Sequence, residues 1–285
     1  MTHMLPRLRV WTQRMTGDWM IWSGGIVLAI LALLTITLGL NPPASAQTGS
    51  LLLRFQPPAP GGYLLGTDQL GRSMLARVLA GAPWSLGIAL VATTIALAIG
   101  TPIGLIAAWV PGWPRRIIRM LVDTVIAFPS LVIAVTVIAL LGRGFWPLAM
   151  VLGLATWPIA ARVVYAEAMG IMKRDYVRAA VLAGVSGPLV VLAHVLPALR
   201  PTLMTMFAFT FADMLIAESA LSFLGLGVPL SAPSWGNMLS DSREYMINAP
   251  WMLFVPAGAI VLAVVALNLV GDGVTARVRR SGGRA

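Results

Sequence analysis

The chain has 285 residues, of which 58% are hydrophobic and 11% charged, and its mean hydropathy is +0.86. Soluble proteins carry about 25% charged residues, so this composition excludes an ordinary water-soluble domain and indicates a protein embedded in a lipid bilayer. The net charge of +10 would suggest a nucleic-acid partner for a soluble protein, but basic cytoplasmic ends explain it in a membrane protein, and no nucleic acid is expected.

The N-terminal part predicts a basic cytoplasmic segment, residues 1–20, and a first transmembrane helix over residues 21–40. The helix is expected because this apolar run is long enough to span a bilayer. Ala44-Ser45-Ala46 then resembles a signal-peptidase site, so cleavage after Ala46 is an alternative. The apolar run is longer than the roughly 7–15 residues of a secretory signal, which favours a retained helix.

Residues 41–83 are expected to form an extracytoplasmic segment. Prolines make its first part irregular. Asp68 is expected to cap a helix that lies at the membrane surface, with apolar residues on one side and Arg72 and Arg77 largely on the other. A plain lead-in turn to the next span is a compatible alternative.

Residues 84–272 form the expected core, with apolar runs of spanning length. Phe128-Pro129 predicts a kink in the third span, because proline frees a backbone carbonyl. A cytoplasmic tail, residues 273–285, closes the chain. The sequence therefore predicts an all-α integral membrane protein with six transmembrane helices. After the first, the spans cover about residues 84–110, 117–141, 145–164, 199–224 and 251–270.

The distribution of basic residues predicts the orientation. Six spans put both termini on one side, and the positive-inside rule assigns that side to the cytoplasm. All but five of the twenty Lys and Arg residues then lie inside. The five expected outside are Arg54, Arg72, Arg77, Arg143 and Arg243.

Residues 165–201 are the only long polar interruption in the second half of the chain. Asp175 is expected to cap a short helix that ends at Gly184, since glycine tolerates the left-handed conformation after a helix. Alanine and glycine spaced four residues apart give this helix a face with little bulk, so another surface can approach its backbone. Ser186 is a possible second cap, and Pro197 suits the entry of the next helix.

Three parts of this stretch resemble the cytoplasmic "EAA" loop of ABC importer permeases: Ala179-Ala180, Gly184 and Leu196-Pro197. In that family the loop forms a coupling helix that docks into a groove of the ATP-hydrolysing subunit. Other stretches make the chain similar to one branch, the C-type permease subunit of dipeptide and oligopeptide importers. They are GTDQLGRSMLARVLAGAPWSL, AFPSLVIA, AESALSFLGLGVPLSAPSWGNML followed by APW, and LVGDG.

The resemblance also has departures. The family usually has an acid where this chain has Arg178, and the apolar GPLVVLA replaces charged residues common there. The coupling role is expected to survive, with altered docking contacts. The residues expected to couple to the ATPase are Asp175, Tyr176, Arg178, Ala179, Ala180, Gly184, Val185, Ser186, Leu196 and Pro197.

The resemblance implies a type I ABC importer permease fold, with both termini cytoplasmic, in the bacterial plasma (inner) membrane. It implies a non-catalytic subunit that lines half of a translocation path for peptides. The expected partners are a second permease subunit in a heterodimer, two ATP-binding subunits and an extracytoplasmic peptide-binding protein. ATP and Mg are expected on the ATP-binding subunits, and no cofactor on this chain.

The residues themselves give little sign of catalytic chemistry. A phosphate-binding loop needs a glycine-rich stretch ending in lysine and Ser or Thr, and the single lysine, Lys173, is followed by Arg174. His3 and His194 are the only histidines, and cysteine is absent, so zinc, iron and thiolate sites are not expected. His194 is expected to be solvated or capping.

Acidic residues within the spans are the remaining candidates, because an ionisable group in the apolar core costs roughly 2.5–3.5 kcal/mol on insertion scales. The functional hypothesis is that Asp213, Glu218 and Ser222 line or gate the translocation path. The alternative is a satisfied polar pair between Glu218 and a serine. Asp123 is expected to pair with Arg119, one helical turn away.

Three other functions remain open at this level. The substrate of the same branch could be a nickel chelate or glutathione. A self-contained secondary transporter or channel would need an internal repeat and an ion relay, and neither is clear in the sequence. A membrane-bound hydrolase has no histidine-based motif to support it.

Overall fold

A computed structural model describes residues 5–40 and 44–282, and in this part of the chain the regular structure is helical apart from one isolated bridge between Thr67 and Ser73. Residues 1–4, 41–43 and 283–285, with parts of the predicted terminal segments and His3, lie outside the described residues. The helices are α1 Leu5–Leu40, α2 Ala44–Gln47, α3 Met74–Trp109, α4 Trp113–Ala127, α5 Ser130–Leu141, α6 Phe145–Ile171, α7 Asp175–Leu182, α8 Gly187–Val190, α9 Leu196–Phe223, α10 Trp235–Ser242 and α11 Trp251–Gly282.

Five helical segments are long and apolar enough to cross a membrane, and a sixth crossing results if α4 and α5 form one span. These two helices are bent by 82° relative to each other. The all-helical, multi-span prediction is confirmed, but the third span is divided rather than merely kinked. The five segments are Asp18–Thr37, Met74–Trp109, Phe145–Ile171, Gly187–Phe223 and Trp251–Arg277.

The break in the third span lies at the predicted Phe128-Pro129. Phe128 has an extended backbone, φ −85° and ψ 133°, because the residue before a proline is pushed out of the helical region. Pro129 is then the N-cap of α5, whose first residue is Ser130. The location follows from proline chemistry, whereas the size of the bend depends on how the two pieces pack.

Helices α3 and α6 pack closely through glycine. A side-chain carbon added at Gly104 would lie 2.6 Å from the Ala161 carbonyl oxygen, and one at Gly153 would lie 2.7 Å from Ile95. Small residues at a membrane helix interface allow this backbone approach. The α3–α6 pair is therefore the rigid centre of the bundle.

A separate hydrophobic cluster, called the α7 cluster below, lies at one end of the bundle. It joins the C-terminal parts of α3 and α6 to α7 and to the start of the α8–α9 segment. The buried members of this cluster are apolar, so hydrophobic packing holds the inner face of α7 at this end of the bundle. Its buried members are Leu105, Ala108, Val164, Ala168, Ile171, Val177, Val190, Val195 and Leu199.

The prediction that Asp68 caps a helix is wrong, and the alternative, a lead-in turn to the next span, describes this segment. Helix α3 begins at Met74, where the Ser73 hydroxyl accepts from the Ala76 amide, and it continues unbroken into the predicted second span. Asp68 instead closes a turn before the helix, accepting from the backbone amides of Leu70 and Arg72. An aspartate can bond its own following backbone as readily as it caps a helix.

The long polar loop over residues 165–201 is also shorter than predicted. Helix α6 continues to Ile171, and the helical segment of the fifth span begins at Gly187 rather than near Leu199. A π-helical turn, Val191–Val195, joins α8 to α9, and the Leu196 amide donates to the Val191 carbonyl. Pro197 has no amide to donate, so the wider turn accommodates it without ending the helix.

Candidate functional site

The connection between α6 and α8 contains the short helix α7, whose first residue is Asp175. Arg174, not Asp175, occupies the cap position, and its side chain makes no cap hydrogen bond. The prediction of Asp175 as the cap is therefore wrong by one residue. Asp175 lies in the first turn, where a negative charge is favourable at the positive end of the helix dipole.

The end of α7 follows the prediction. Gly184 has a φ of +81°, and its amide donates to the Val181 carbonyl at 3.0 Å. The Val185 amide donates to the Ala180 carbonyl at 3.2 Å. These two bonds form the Schellman motif that ends many helices at a left-handed glycine, and they direct Val185 back into the α7 cluster.

The two faces of α7 differ sharply. Val177 is only 2% exposed and packs into the α7 cluster, whereas Leu182 is 87% exposed. Ala179 and Ala183 are exposed as well. Ala179 and Ala183 of the predicted low-bulk face thus lie on the outer side of α7, whereas Ala180 packs at the edge of the α7 cluster.

The outer surface of α7 is basic. Lys173, Arg174 and Arg178 are exposed, and none of them forms an ion pair with a carboxylate in the described part of the chain. Asp175 is the only acid among these positions.

The other predicted coupling residues have mixed positions. Tyr176 is exposed, while Ala180 and Leu196 pack at the edge of the α7 cluster. Ser186 caps α8 through its backbone carbonyl, without a side-chain cap bond. Pro197 lies within the first turn of α9. Of these residues, Ala180 and Leu196 pack inward, whereas Tyr176 and Ser186 are exposed.

His194 is not the solvated or capping residue that was predicted. It lies in the π-helical turn, and its Nδ1 atom is buried without a hydrogen-bond partner among the described residues. The turn extends the fifth helix past this position, which brings the ring against the bundle. Within the described part of the chain, no group of three His, Asp or Glu residues could hold a metal ion.

The predicted path residues lie at the other end of α9. Glu218 is fully buried and accepts from Ser222 at 2.9 Å and from Ser219 at 3.2 Å. Helix α10 covers this group closely, because a side-chain carbon at Gly236 would lie 2.5 Å from Ser222 Cβ. These contacts match the alternative in which Glu218 is satisfied by hydrogen bonds from serines. A gating role for Glu218 and Ser222 stays a prediction.

Asp213 is exposed on α9 and makes no side-chain hydrogen bond or ion pair within the described residues. An apolar groove of about 950 Å³ lies elsewhere in this part of the chain. Its walls are apolar faces of α1, α3, α9 and α11, including Leu31, Leu90, Phe207 and Phe211. Asp213, Glu218 and Ser222 do not line this groove, so the groove and the acids are separate candidates for a path.

Two ionic contacts were missed by the sequence analysis. Asp68 accepts from Arg72 at 2.6 Å and from Arg77 at 2.8 Å, and Arg77 also reaches Asp241 at 3.1 Å. Arg77 is therefore buried in this ionic network rather than exposed on a surface helix. Only the four-residue spacing from Asp68 to Arg72 was visible in the sequence.

The second missed contact involves Asp123. Asp123 pairs with Arg162 of α6, not with Arg119 as predicted. The reason is that α4 packs against α6, which brings Asp123 to Arg162. Arg119 instead lies over the Tyr165 ring, 5.6 Å from its centroid. Both contacts connect α4 to α6.

Together, these features define a class: a multi-pass helical membrane protein with a small basic helix in the connection between α6 and α8. A family model described as "Binding-protein-dependent transport system inner membrane component" matches residues 100–281, more than half of the chain. The chain belongs to this family and has its type I ABC permease fold, which locates it in the bacterial inner membrane.

Several relatives agree with this assignment. A putative peptide transport system permease protein of Brucella suis is 36% identical over 252 residues, covering 87% of this chain and 84% of the relative. The di/tripeptide transport system permease protein DppC of Pseudomonas aeruginosa is 38% identical over 211 residues, covering 74% and 70%. A glutathione transport system permease protein, GsiD of Escherichia coli, is 36% identical over the same length and with the same coverage.

Proposed function

We propose that this chain is the permease subunit of an ATP-driven importer of di- and oligopeptides. It lines half of the translocation path and receives the force of ATP hydrolysis through α7. The single observation that carries this proposal is the geometry of α7, a short basic helix with an exposed low-bulk face and a buried face in one apolar cluster with residues of three membrane helices.

The α7 cluster supplies the mechanical connection. Val177 on α7 belongs to one buried apolar cluster with residues of α3, α6 and α9, including Leu105, Val164 and Leu199. Because protein interiors are close-packed, a displacement of α7 moves its neighbours rather than being absorbed locally. ATP-driven movement of the partner subunits would in this way rock the bundle and alternate access to the path.

This role assigns no catalytic step to the chain itself. The nucleotide and Mg belong on two ATP-binding subunits that dock on the outer face of α7. A second permease subunit supplies the other half of the path, and an extracytoplasmic binding protein delivers the substrate. The orientation follows from this arrangement, with the α7 end and both termini in the cytoplasm.

Peptides are the proposed substrate class because the printed names of the relatives from Brucella suis and Pseudomonas aeruginosa refer to peptide and di/tripeptide transport. The second candidate substrate is glutathione, supported by the name of the relative from Escherichia coli. Glutathione is itself a short peptide, so the two candidates share an amide backbone and charged termini.

The test is Ala179→Leu in the complete importer, measured as uptake of a labelled dipeptide and as peptide-stimulated ATPase activity. Ala179 is exposed on α7, so the larger side chain fits the isolated chain but obstructs docking, at a cost of about 1–3 kcal/mol. We expect uptake to fall roughly tenfold or more while membrane insertion stays normal.

Ala29→Leu is the matched control, since Ala29 is an exposed alanine on α1, a helix that makes no part of the α7 cluster. It should transport like the unmodified chain. Normal uptake with Ala179→Leu would show that α7 is an ordinary connecting helix. Uptake of glutathione but not of the dipeptide would identify glutathione as the substrate.

A further inference from the structure

A basic cavity lies near the α7 end of the bundle, between α3, α4 and α6. Its volume is about 310 Å³. The apolar floor comes from Ile103, Gly104, Ala107 and Val122, and the polar rim from Arg119, Asp123, Arg162 and Tyr165. We propose that this cavity binds the headgroup of an anionic phospholipid.

The charges of the rim favour an anion. The lining contains two arginines, Arg119 and Arg162, and one carboxylate, Asp123, which leaves one net positive charge. Asp123 pairs with Arg162. Arg119 has no carboxylate partner among the described residues, and it is held over the Tyr165 ring. A guanidinium fixed in this way presents donors suited to a phosphate group.

A second groove continues the site outward along α4. It shares Arg119 and Asp123 with the basic cavity and adds Arg116 and the apolar Met120. The two spaces therefore meet at Arg119. A phosphate at this point would have a second arginine on one side and an apolar floor on the other, the two chemistries of a phospholipid.

The depth of the cavity fits a headgroup rather than a soluble ligand. Gly104 lies five residues before Trp109, the last residue of α3, or about 7.5 Å along the helix axis. Trp109 and Trp113 are exposed at this end, where aromatic residues mark a membrane interface. An amphipathic helix buries its apolar face about 5–10 Å into the boundary between headgroups and acyl chains, and the Gly104 floor lies at a similar depth.

The outer surface of α4 supplies contacts for the acyl chains. Trp113, Ile117, Met120 and Leu121 are exposed apolar residues on this helix. Basic pockets between membrane helices on the cytoplasmic side attract anionic headgroups, and the proposed orientation puts this end in the cytoplasm. The occupant is therefore a lipid such as phosphatidylglycerol, with the phosphate at Arg119 and the chains along α4.

Native mass spectrometry of the full chain in detergent tests the proposal, with dioleoyl phosphatidylglycerol and dioleoyl phosphatidylcholine titrated separately. Phosphatidylglycerol should bind more tightly, and inorganic phosphate should not displace it. Arg119→Gln should weaken phosphatidylglycerol binding about fivefold, the effect of removing one basic residue at a lipid surface. Arg119→Lys should retain most of the binding, which separates loss of charge from loss of fold.

Asp123→Asn gives a change of opposite sign, because it removes the competing carboxylate and frees Arg162. Phosphatidylglycerol binding should become up to about fivefold tighter. Arg143→Gln is the control, since Arg143 is an exposed arginine between α5 and α6 that lines neither cavity.

Any of five results would overturn the proposal: equal binding of the two lipids, unchanged binding with Arg119→Gln, an equal loss with Arg143→Gln and Arg119→Gln, weaker binding with Asp123→Asn, or displacement by inorganic phosphate. In one further case, unchanged lipid binding in Arg119→Gln comes together with lost ATPase stimulation in the complete importer. That last result would make the cavity a docking surface for an acidic protein.

Discussion

The buried ionic network around Arg77 permits a prediction with a defined magnitude. Asp68 is completely buried, Arg77 is 3% exposed and Asp241 is 28% exposed. Removing one partner of a buried ion pair costs about 3–5 kcal/mol, because the remaining charge is left without compensation. Asp68→Asn should cost about 3 kcal/mol, the low end of this range, since Arg77 keeps its contact with Asp241.

The choice of asparagine isolates the charge. Its amide oxygen can still accept from the backbone amides of Leu70 and Arg72, as Asp68 Oδ1 does at 2.9 and 2.8 Å. Asp68 Oδ2, which accepts from Arg72 and Arg77, would become an amide nitrogen that faces two donors. Asp241→Asn should cost only about 1 kcal/mol or less, because that carboxylate is partly solvated.

The decisive measurement is a double-mutant cycle in which thermal unfolding of the full chain in detergent reports the stability of each variant. Asp68→Asn with Asp241→Asn leaves Arg77 with neither carboxylate, so the double variant should lose more stability than the two single losses added together. Asp272→Asn, at an exposed acid of α11, should stay within about 0.5 kcal/mol. Additive losses, or a loss for Asp68→Asn equal to that of Asp272→Asn, would refute the view that Arg77 depends on both acids.

The remaining predictions concern α7 and the orientation. Ser186→Cys should react with an impermeant thiol reagent only in opened cells, and Ser231→Cys should react in intact cells once any outer barrier is breached. The reverse pattern would show that the chain has the opposite orientation in the membrane. Gly184→Ala should lower stability by about 1–2 kcal/mol because alanine is strained at φ +81°, and thermal unfolding that matches the unmodified chain would contradict this. Arg178→Glu should uncouple ATPase activity from transport, with recovery when an acid on the ATPase is changed to lysine; unchanged coupling would mean that Arg178 is a solvated bystander.

The local features of the candidate site could be predicted from sequence. Gly184 ends α7 because a left-handed residue is needed there, and glycine is the residue that adopts this conformation without strain. Pro129 likewise marks the break in the third span, because it restricts the residue before it. Both depend on the chain within a few residues of the position, and this is the range over which sequence patterns are informative.

The contacts between distant segments could not be predicted in this way. Arg77 and Asp241 are separated by 164 positions, and no spacing rule connects them. Asp123 has two arginines within reach of the α4 surface, and only the packing of α4 against α6 selects Arg162 over Arg119. The π-helical turn was missed because Pro197 could equally have ended a helix, and tertiary packing decided the outcome.

The division of the third span has a consequence for how the chain enters the membrane during synthesis. Helix α4 has 15 residues and α5 has 12, about 22 and 18 Å long, and each is shorter than the hydrocarbon layer of about 30 Å. Helix α4 also carries arginines and Asp123, whose insertion is unfavourable in isolation. We expect the translocon to hold this segment until α6 emerges and Arg162 can neutralise Asp123, so that the two enter the bilayer as one hairpin.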